Sequence, residues 1–186
     1  MGKMFQYEPY GPFRVPIESG RIPKNLTKFW EDVETRKTGL SEAVGCYIFA
    51  VKKASVYIPW YVGKTVKLGF RGEGFQLHKR DHLASLGTLE SGTVMLYLIP
   101  RVTSTGKFRG KYGRNIKQGQ DGKITILEER LIGLALAKNP DLRNVKGRKQ
   151  IQLPGIMNES KGRRSPEAKR LVALLGNQRN KKRRKS

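Results

Sequence analysis

Apolar positions change their spacing along the chain, and each change marks an element. Gly45-Cys46-Tyr47-Ile48-Phe49 and Trp60-Tyr61-Val62-Gly63-Lys64 are short apolar runs with β-branched and aromatic residues, the signature of two strands. They are joined through Lys52-Lys53-Ala54-Ser55, and Val56-Tyr57-Ile58 can extend the second strand. Pro59 has no N–H to give to a ladder, so it belongs at a sheet edge or a strand start. Thr93 to Ile99 is nearly continuous in apolar character and reads as the most buried strand, stopped by Pro100. Two stretches follow the helical period instead. Phe75 to Leu86 places Phe75, His78, Lys79, His82 and Leu86 on one stripe, after the glycine-rich loop Gly69 to Gly74. Ile124 to Lys138 repeats Leu127, Leu131, Leu134 and Ala135 on one face and is stopped by Asn139-Pro140.

Elsewhere the pattern is weak. Residues 1–24 are rich in Pro, Gly and Tyr without a period, and Thr27 to Glu31 and Ser41 to Ala43 make at most short helical turns. Arg101 to Gln120 reads as a long basic loop. Beyond Ile156 aliphatic density falls, apart from a short helix around Ala168 to Leu175, and the chain closes on the run Lys181 to Lys185. The expected organisation is an irregular arm over 1–40, a mixed α/β (α+β) domain over 41–157 and a basic tail over 158–186.

Composition narrows the partner. The chain has 186 residues, 37% of them apolar, which suits one domain with a moderate core and polar appendages. Its formal charge of +23 is self-repulsive unless a polyanion is the working partner. Nucleic acid is therefore expected, with the tail adding non-specific affinity through counterion release. No basic amphipathic helix points to a membrane surface, and no apolar run approaches the roughly 18 residues needed to span a bilayer. Met1 to Tyr10 carries no continuous apolar segment of the secretory kind, so a cytoplasmic location is expected. One cysteine, Cys46, and two histidines exclude an internal disulfide and a structural zinc cluster.

Three groups carry candidate chemistry. Tyr47 and Tyr61 can bring two phenols to one face of neighbouring strands. Glu128 projects into the apolar arc of its helix, where a carboxylate costs several kcal/mol unless a metal ion, Arg or Lys neutralises it. As a single acid it suits one divalent cation whose oxygen shell is completed by substrate phosphate and water. His78 and His82, one turn apart, admit joint metal ligation, a neutral imidazole that accepts a proton or hydrogen-bonds a phosphate, or a plain half-exposed polar face. Lys64, Lys67, Arg71, Lys79 and Arg80 cluster in the same stretch and together look like a phosphate-binding face.

Gly45-Cys46-Tyr47 followed by Tyr61-Val62-Gly63-Lys64-Thr65 resembles the paired motif that names the GIY-YIG nucleases. Arg71 stands ten residues after Tyr61, where that family commonly has an arginine. Leu127-Glu128 with Leu131-Ile132 looks like its metal-binding helix, and Asn139 to Asn144 like its closing asparagine segment. The resemblance covers about residues 43–146 and is closer to uncharacterised bacterial members than to homing or repair enzymes. It implies a three-stranded antiparallel sheet flanked by helices and metal-dependent hydrolysis of a phosphodiester, DNA rather than RNA. It also implies roles. Tyr47 is the general base or orients the attacking water, Tyr61 hydrogen-bonds the phosphate or supports that water, and Arg71 neutralises charge at phosphorus. Glu128 holds one Mg²⁺ or Mn²⁺, Asn144 braces the site, and Lys64, Lys67, Lys79, Arg80 and Asn144 are placed along the nucleic acid. A phenol is a poor base at neutral pH, so metal and cationic neighbours are expected to lower it. Three departures stand out. The stretch between Tyr47 and Tyr61 is long, which implies an enlarged hairpin loop. Arg71 falls in a glycine-rich loop, leaving Arg80 or Lys79 as alternatives. Phe75 occupies a place often held by His or Tyr, leaving His78 or His82 as substitutes. The competing expectation is a non-catalytic protein that binds structured RNA or associates with the ribosome.

Overall fold

The apolar runs on either side of Ala54-Ser55 pair into a long antiparallel hairpin. β3 (Gly45–Lys53) and β4 (Val56–Thr65) are in register from Lys53 opposite Val56 to Gly45 opposite Thr65. The structure, a computed structural model, describes residues 6–76, 80, 83–85, 92–110 and 122–144. The chain divides into units Met1–Gly147 and Arg148–Ser186, and every described residue belongs to the first. His78, Lys79, His82, positions 111–120 of the stretch expected as a basic loop, the short helix expected over Ala168 to Leu175 and the basic tail lie outside the described residues.

The turn between β3 and β4 is only Ala54-Ser55, with Ala54 at φ 50°. The enlarged hairpin loop expected from the long spacing is absent, because the added residues lengthen both strands. Tyr61 faces Phe49 while Pro59 faces Ala50, so Trp60 is the extra residue of a bulge. Pro59 is tolerated because β4 is the sheet edge.

β5 (Thr93–Val102) lies on the other side of β3, antiparallel, with Gly45 opposite Pro100 and Lys52 opposite Thr93. Pro100 does not end it. The Pro100 carbonyl accepts from the Glu8 N–H at 3.3 Å, and the next N–H, of Arg101, bonds the Val44 carbonyl at 2.9 Å. The outer edge of β5 is filled by β1 (Gln6–Tyr7) and β2 (Tyr10–Arg14), both antiparallel to it. The sheet therefore has four strand positions across, in the order β1 or β2, β5, β3, β4, where three strands were expected. The added position comes from the arm read as irregular. Phe13 and Val15 alternate inward there and are buried, and that tertiary packing outweighs the Pro- and Gly-rich composition.

α1 (Thr27–Arg36) is a ten-residue helix where only a turn was expected. It buries Phe29, Trp30 and Val33, and Phe29 meets Trp30 at 5.1 Å and Phe75 at 5.4 Å between ring centroids. Phe75 in turn lies 5.5 Å from Phe49 of β3, so an aromatic chain ties helix to sheet. α1 is also tied to the approach to β3 through Glu34, whose carboxylate accepts from the Gly39 N–H at 2.5 Å and the Ser41 N–H at 2.7 Å. Burial pushes the Glu34 carboxyl up, but hydrogen bonds from Ser41 and Gly39 and the charge of Arg71 outweigh it and hold the group below its ordinary value.

α2 (Gly69–Glu73) replaces the expected glycine-rich loop, so Arg71 sits on a short helix after all. Three features make so glycine-rich a stretch helical. Gly69 starts it at φ 69° with its Cα against the Glu42 backbone, Phe70 is completely buried, and the Phe70 and Arg71 N–H groups bond the Ala43 and Ser41 carbonyls. Of the helix expected over Phe75 to Leu86, Arg80 and residues 83–85 are described and are helical, while Phe75 is in a turn.

Strand alternation gives the sheet two faces. Tyr47, Phe49 and Val51 join Leu96 and Leu98 in the main core, with Phe29, Trp30, Val33 and Phe70 of α1 and α2. α3 (Gly122–Lys138) belongs with the opposite parity, where Val44, Cys46 and Ile124 form a small second core. The helix packs chiefly on β4 and less on β3. A helix over a sheet edge needs only a narrow stripe, which is Ile124, Ile132 and Ala135; Leu134, expected inward, is 60% exposed.

After α3 the chain turns back along the outer edge of β4. The Asn139 Nδ2 donates to the Pro59 carbonyl at 2.8 Å, and the Arg143 N–H to the Trp60 carbonyl at 2.8 Å. Asn144 accepts from the Val62 N–H at 2.8 Å and donates to the Val62 carbonyl at 2.6 Å. This segment closes an edge that would otherwise offer unpaired peptide groups. Asn144→Ala strands two buried peptide groups of Val62 and is expected to cost about 2–4 kcal/mol, read as a lower urea midpoint at unchanged slope.

Candidate active site

Register alone brings the two phenols together. Tyr47 stands opposite Gly63, and Tyr61 lies two residues before Gly63 on the same face of β4. Their ring centroids are 6.2 Å apart with planes tilted by 31°. Gly63 is part of this geometry. A Cβ there would fall on the Tyr47 ring at Cζ and lie 2.8 Å from Cε2, so only glycine lets the ring lie across β4. Phe49 at 5.7 Å and Phe70 at 6.5 Å from the Tyr47 centroid hold the ring edge-on from the core side. Tyr47 is 1% exposed, and Tyr61 is partly buried against the same cluster.

Glu128 comes from α3. Its side chain is 20% exposed and its Oε2 lies 3.4 Å from the Lys64 ammonium, which also donates to the Thr125 hydroxyl at 2.7 Å. The partly buried carboxylate is thus paired with the Lys64 ammonium, a contact contributing about 1 kcal/mol. Its charge reaches both phenols.

The electrostatics of the phenols run opposite to the expectation that cationic neighbours lower them. Tyr47 is pushed far above the ordinary tyrosine value, first by burial, then by Tyr61, Glu73, its hydrogen bond with Tyr61, and Glu128. Tyr61 is raised by burial, then by Glu128 and Glu73, while the hydrogen bond shared with Tyr47 pulls it back. Two of the region's cations act on carboxylates: Lys64 pairs with Glu128 and donates to Thr125, and the charge of Arg71 reaches Glu34. Of the pair, Tyr61 is the phenol whose ionisation the shared hydrogen bond favours.

A raised phenol stabilises the folded state below its unfolded value near 10 and loses that contribution as pH climbs above it. Of the seven tyrosines, those at 47 and 61 are expected to stay protonated until the fold opens, so phenolate absorbance should lag in an alkaline titration. Tyr47→Phe and Tyr61→Phe should each remove one late-titrating group. No loss of a late-titrating group in either variant would contradict the burial argument.

The remaining expected site residues divide clearly. Lys67 and Arg71 are exposed, on or just before α2. Arg80 is turned inward: its Nε donates to the Phe75 carbonyl at 2.8 Å and its Nη1 to the Pro23 and Lys24 carbonyls at 3.3 and 3.5 Å. It fastens the segment before α1 and does not face a substrate, so of these two arginines Arg71 is the one open to a phosphate. Asn144 is likewise a brace and not a nucleic-acid contact, since both amide heavy atoms are engaged with Val62. Glu73, which the sequence pattern does not single out, is the second carboxylate acting on both phenols. Its signal is the spacing Phe70 to Glu73, one turn of a helix that three glycines disguise.

The donors present are oxygens: the Glu128 carboxylate, the Thr125 hydroxyl and the phenols. That chemistry fits a hard divalent cation that keeps water and takes substrate phosphate, and not a closed zinc centre. Among the described residues no group of three or more His, Cys, Asp or Glu could enclose a metal, and no helix is long and apolar enough to cross a membrane. No protein-family model matches the chain, and comparison with curated proteins and with solved structures gives no match either.

Proposed function

We propose that this protein is a nuclease that hydrolyses phosphodiester bonds of DNA with one divalent cation held by Glu128. The observation that carries the reading is the phenol pair, 6.2 Å between ring centroids over a glycine that must be glycine, with Glu128 charged within reach. Two buried phenols beside carboxylates serve no packing need that phenylalanine would not serve better. Bound at Glu128, Mg²⁺ or Mn²⁺ supplies Lewis-acid stabilisation of the phosphoryl oxygens and the leaving alkoxide. The chain's own part is to orient and to move a proton. With a cation at Glu128, Tyr61, the phenol more open to ionisation, would first give up its proton to solvent, its phenolate held by the hydrogen bond from Tyr47. That phenolate accepts a proton from the attacking water, the water oxygen bonds to phosphorus as the bond to the leaving oxygen breaks, and the leaving oxygen takes up a proton from solvent. Exposed Arg71 is placed to meet phosphate charge.

A second reading has its own observation. The Lys64–Glu128 pair at 3.4 Å neutralises the carboxylate without metal, which suits a non-catalytic protein bound to structured RNA. Incubation with double-stranded, branched and single-stranded DNA, with and without Mg²⁺, separates the two. Mg²⁺-dependent nicks that disappear in Tyr47→Phe and Glu128→Ala are expected. Tight RNA binding with no cleavage of any substrate supports the second reading.

A further inference from the structure

A groove separate from the phenols opens between the end of α1 and the turn that follows β5. It encloses about 550 Å³ and is lined by Lys37, Gly39, Glu42, Thr105, Lys107 and Phe108, among others. Its floor is firm. The Gly39 N–H is held by Glu34, the Thr103 and Lys107 backbones bond one another at 2.8 Å, and Phe108 packs edge-on against Tyr10 at 5.7 Å. Both lysines are exposed, with Arg36 and Arg109 exposed beside them in the chain; Glu42 is the carboxylate among the lining residues. The balance is a cationic trough with hydroxyls and a half-buried aromatic ring at its wall. Its inner wall, Glu42-Ala43, is the backbone on which α2 starts: Gly69 packs on Glu42, and the Phe70 N–H bonds the Ala43 carbonyl at 3.2 Å.

We infer that this groove binds the sugar–phosphate backbone of the DNA flanking the cleavage point, with Lys37 and Lys107 on phosphates and the Thr105 hydroxyl as an added donor. The inference rests on the nuclease reading for the identity of the polymer. Groove and catalytic site are separate sets of side chains, so binding and cleavage report on them independently. Lys and Thr suit this work because bonds to phosphate fix position without reading sequence.

The test is the salt dependence of binding of the full-length chain to a labelled DNA duplex in EDTA, where cleavage is silent. Lys37→Ala with Lys107→Ala should lower the slope of log affinity against log salt by about two, one for each phosphate no longer neutralised. Lys28→Ala with Lys138→Ala, an equal charge change at exposed helix positions outside the groove lining, should lower it by less than half as much. Circular dichroism of both pairs checks folding, and cleavage of a short duplex in Mg²⁺ is read in parallel. A slope reduced by the Lys37 and Lys107 pair and less than half as much by the control pair, with cleavage by the wild type, supports both the groove and the nuclease reading. A reduced slope with no cleavage by any variant, wild type included, supports the groove as a polyanion site while the nuclease reading falls. Equal slopes for the two pairs overturn the groove, whatever happens to cleavage.

Discussion

Glu128→Gln is expected to lower Mg²⁺-dependent cleavage by at least about a thousandfold while leaving the fold intact. The figure corresponds to about 4 kcal/mol of transition-state stabilisation, within what a Lewis acid supplies at a phosphoryl centre. The glutamine keeps the shape, and its amide oxygen still accepts from the Lys64 ammonium, now 3.4 Å from the carboxylate. A fall in activity therefore reports the missing charge and not a collapsed helix. A second readout makes the point without catalysis. Mn²⁺ binding followed by electron paramagnetic resonance should be present in the wild type and weakened in the variant. Cleavage within about tenfold of wild type, or unaltered Mn²⁺ binding, removes Glu128 as the metal-holding residue.

The charge arrangement explains why so much should hang on this carboxylate. Glu73 and Glu128 both raise the phenols, and Lys64 is paired with Glu128. Without a further cation, neither tyrosine accepts a proton near neutrality. A divalent ion held by Glu128 would oppose the negative field at Tyr61, the phenol whose ionisation the Tyr47 hydrogen bond already favours. The ammonium of Lys64, 3.4 Å from the carboxylate on a 28% exposed side chain, would then be released toward phosphate.

What can be read from the chain alone follows from how local each interaction is. The hairpin and the phenol pair are legible because alternation and register act over a few residues. Glu128 is legible because the helical period brings a charge into an apolar arc. The N-terminal strands, α1 and α2 are not. Phe29 and Trp30 form a helix because Phe75 and Phe49 receive them, partners about 20 to 45 residues away that no local window contains. α2 is helical through carbonyls of Ser41 and Ala43, against the preference of its glycines. Arg80 reads as one more surface cation, yet its partners are backbone carbonyls at Pro23 and Lys24, invisible until the fold is known. Leu134 looks inward because periodicity tells that a helix has a face, not how wide the neighbouring surface is.

Gly63→Ala is expected to be strongly destabilising. Its Cβ would occupy the space of the Tyr47 ring, and neither side can yield easily. Tyr47 is held edge-on by Phe49 and Phe70, and Gly63 is fixed by its ladder position opposite Tyr47. Overpacking of this kind costs about 3 kcal/mol, and the phenols would be driven apart, so cleavage should fall with stability. Tyr47→Leu in the same chain separates the two effects. A shorter side chain leaves room for the alanine, so the double variant should recover most of the stability that Gly63→Ala removes and none of the cleavage. Denaturant midpoints of wild type, both single variants and the double variant give the coupling energy directly. A coupling near zero would mean that the glycine is kept for some reason other than seating the phenol. The steric link between the two motifs would then have to be given up.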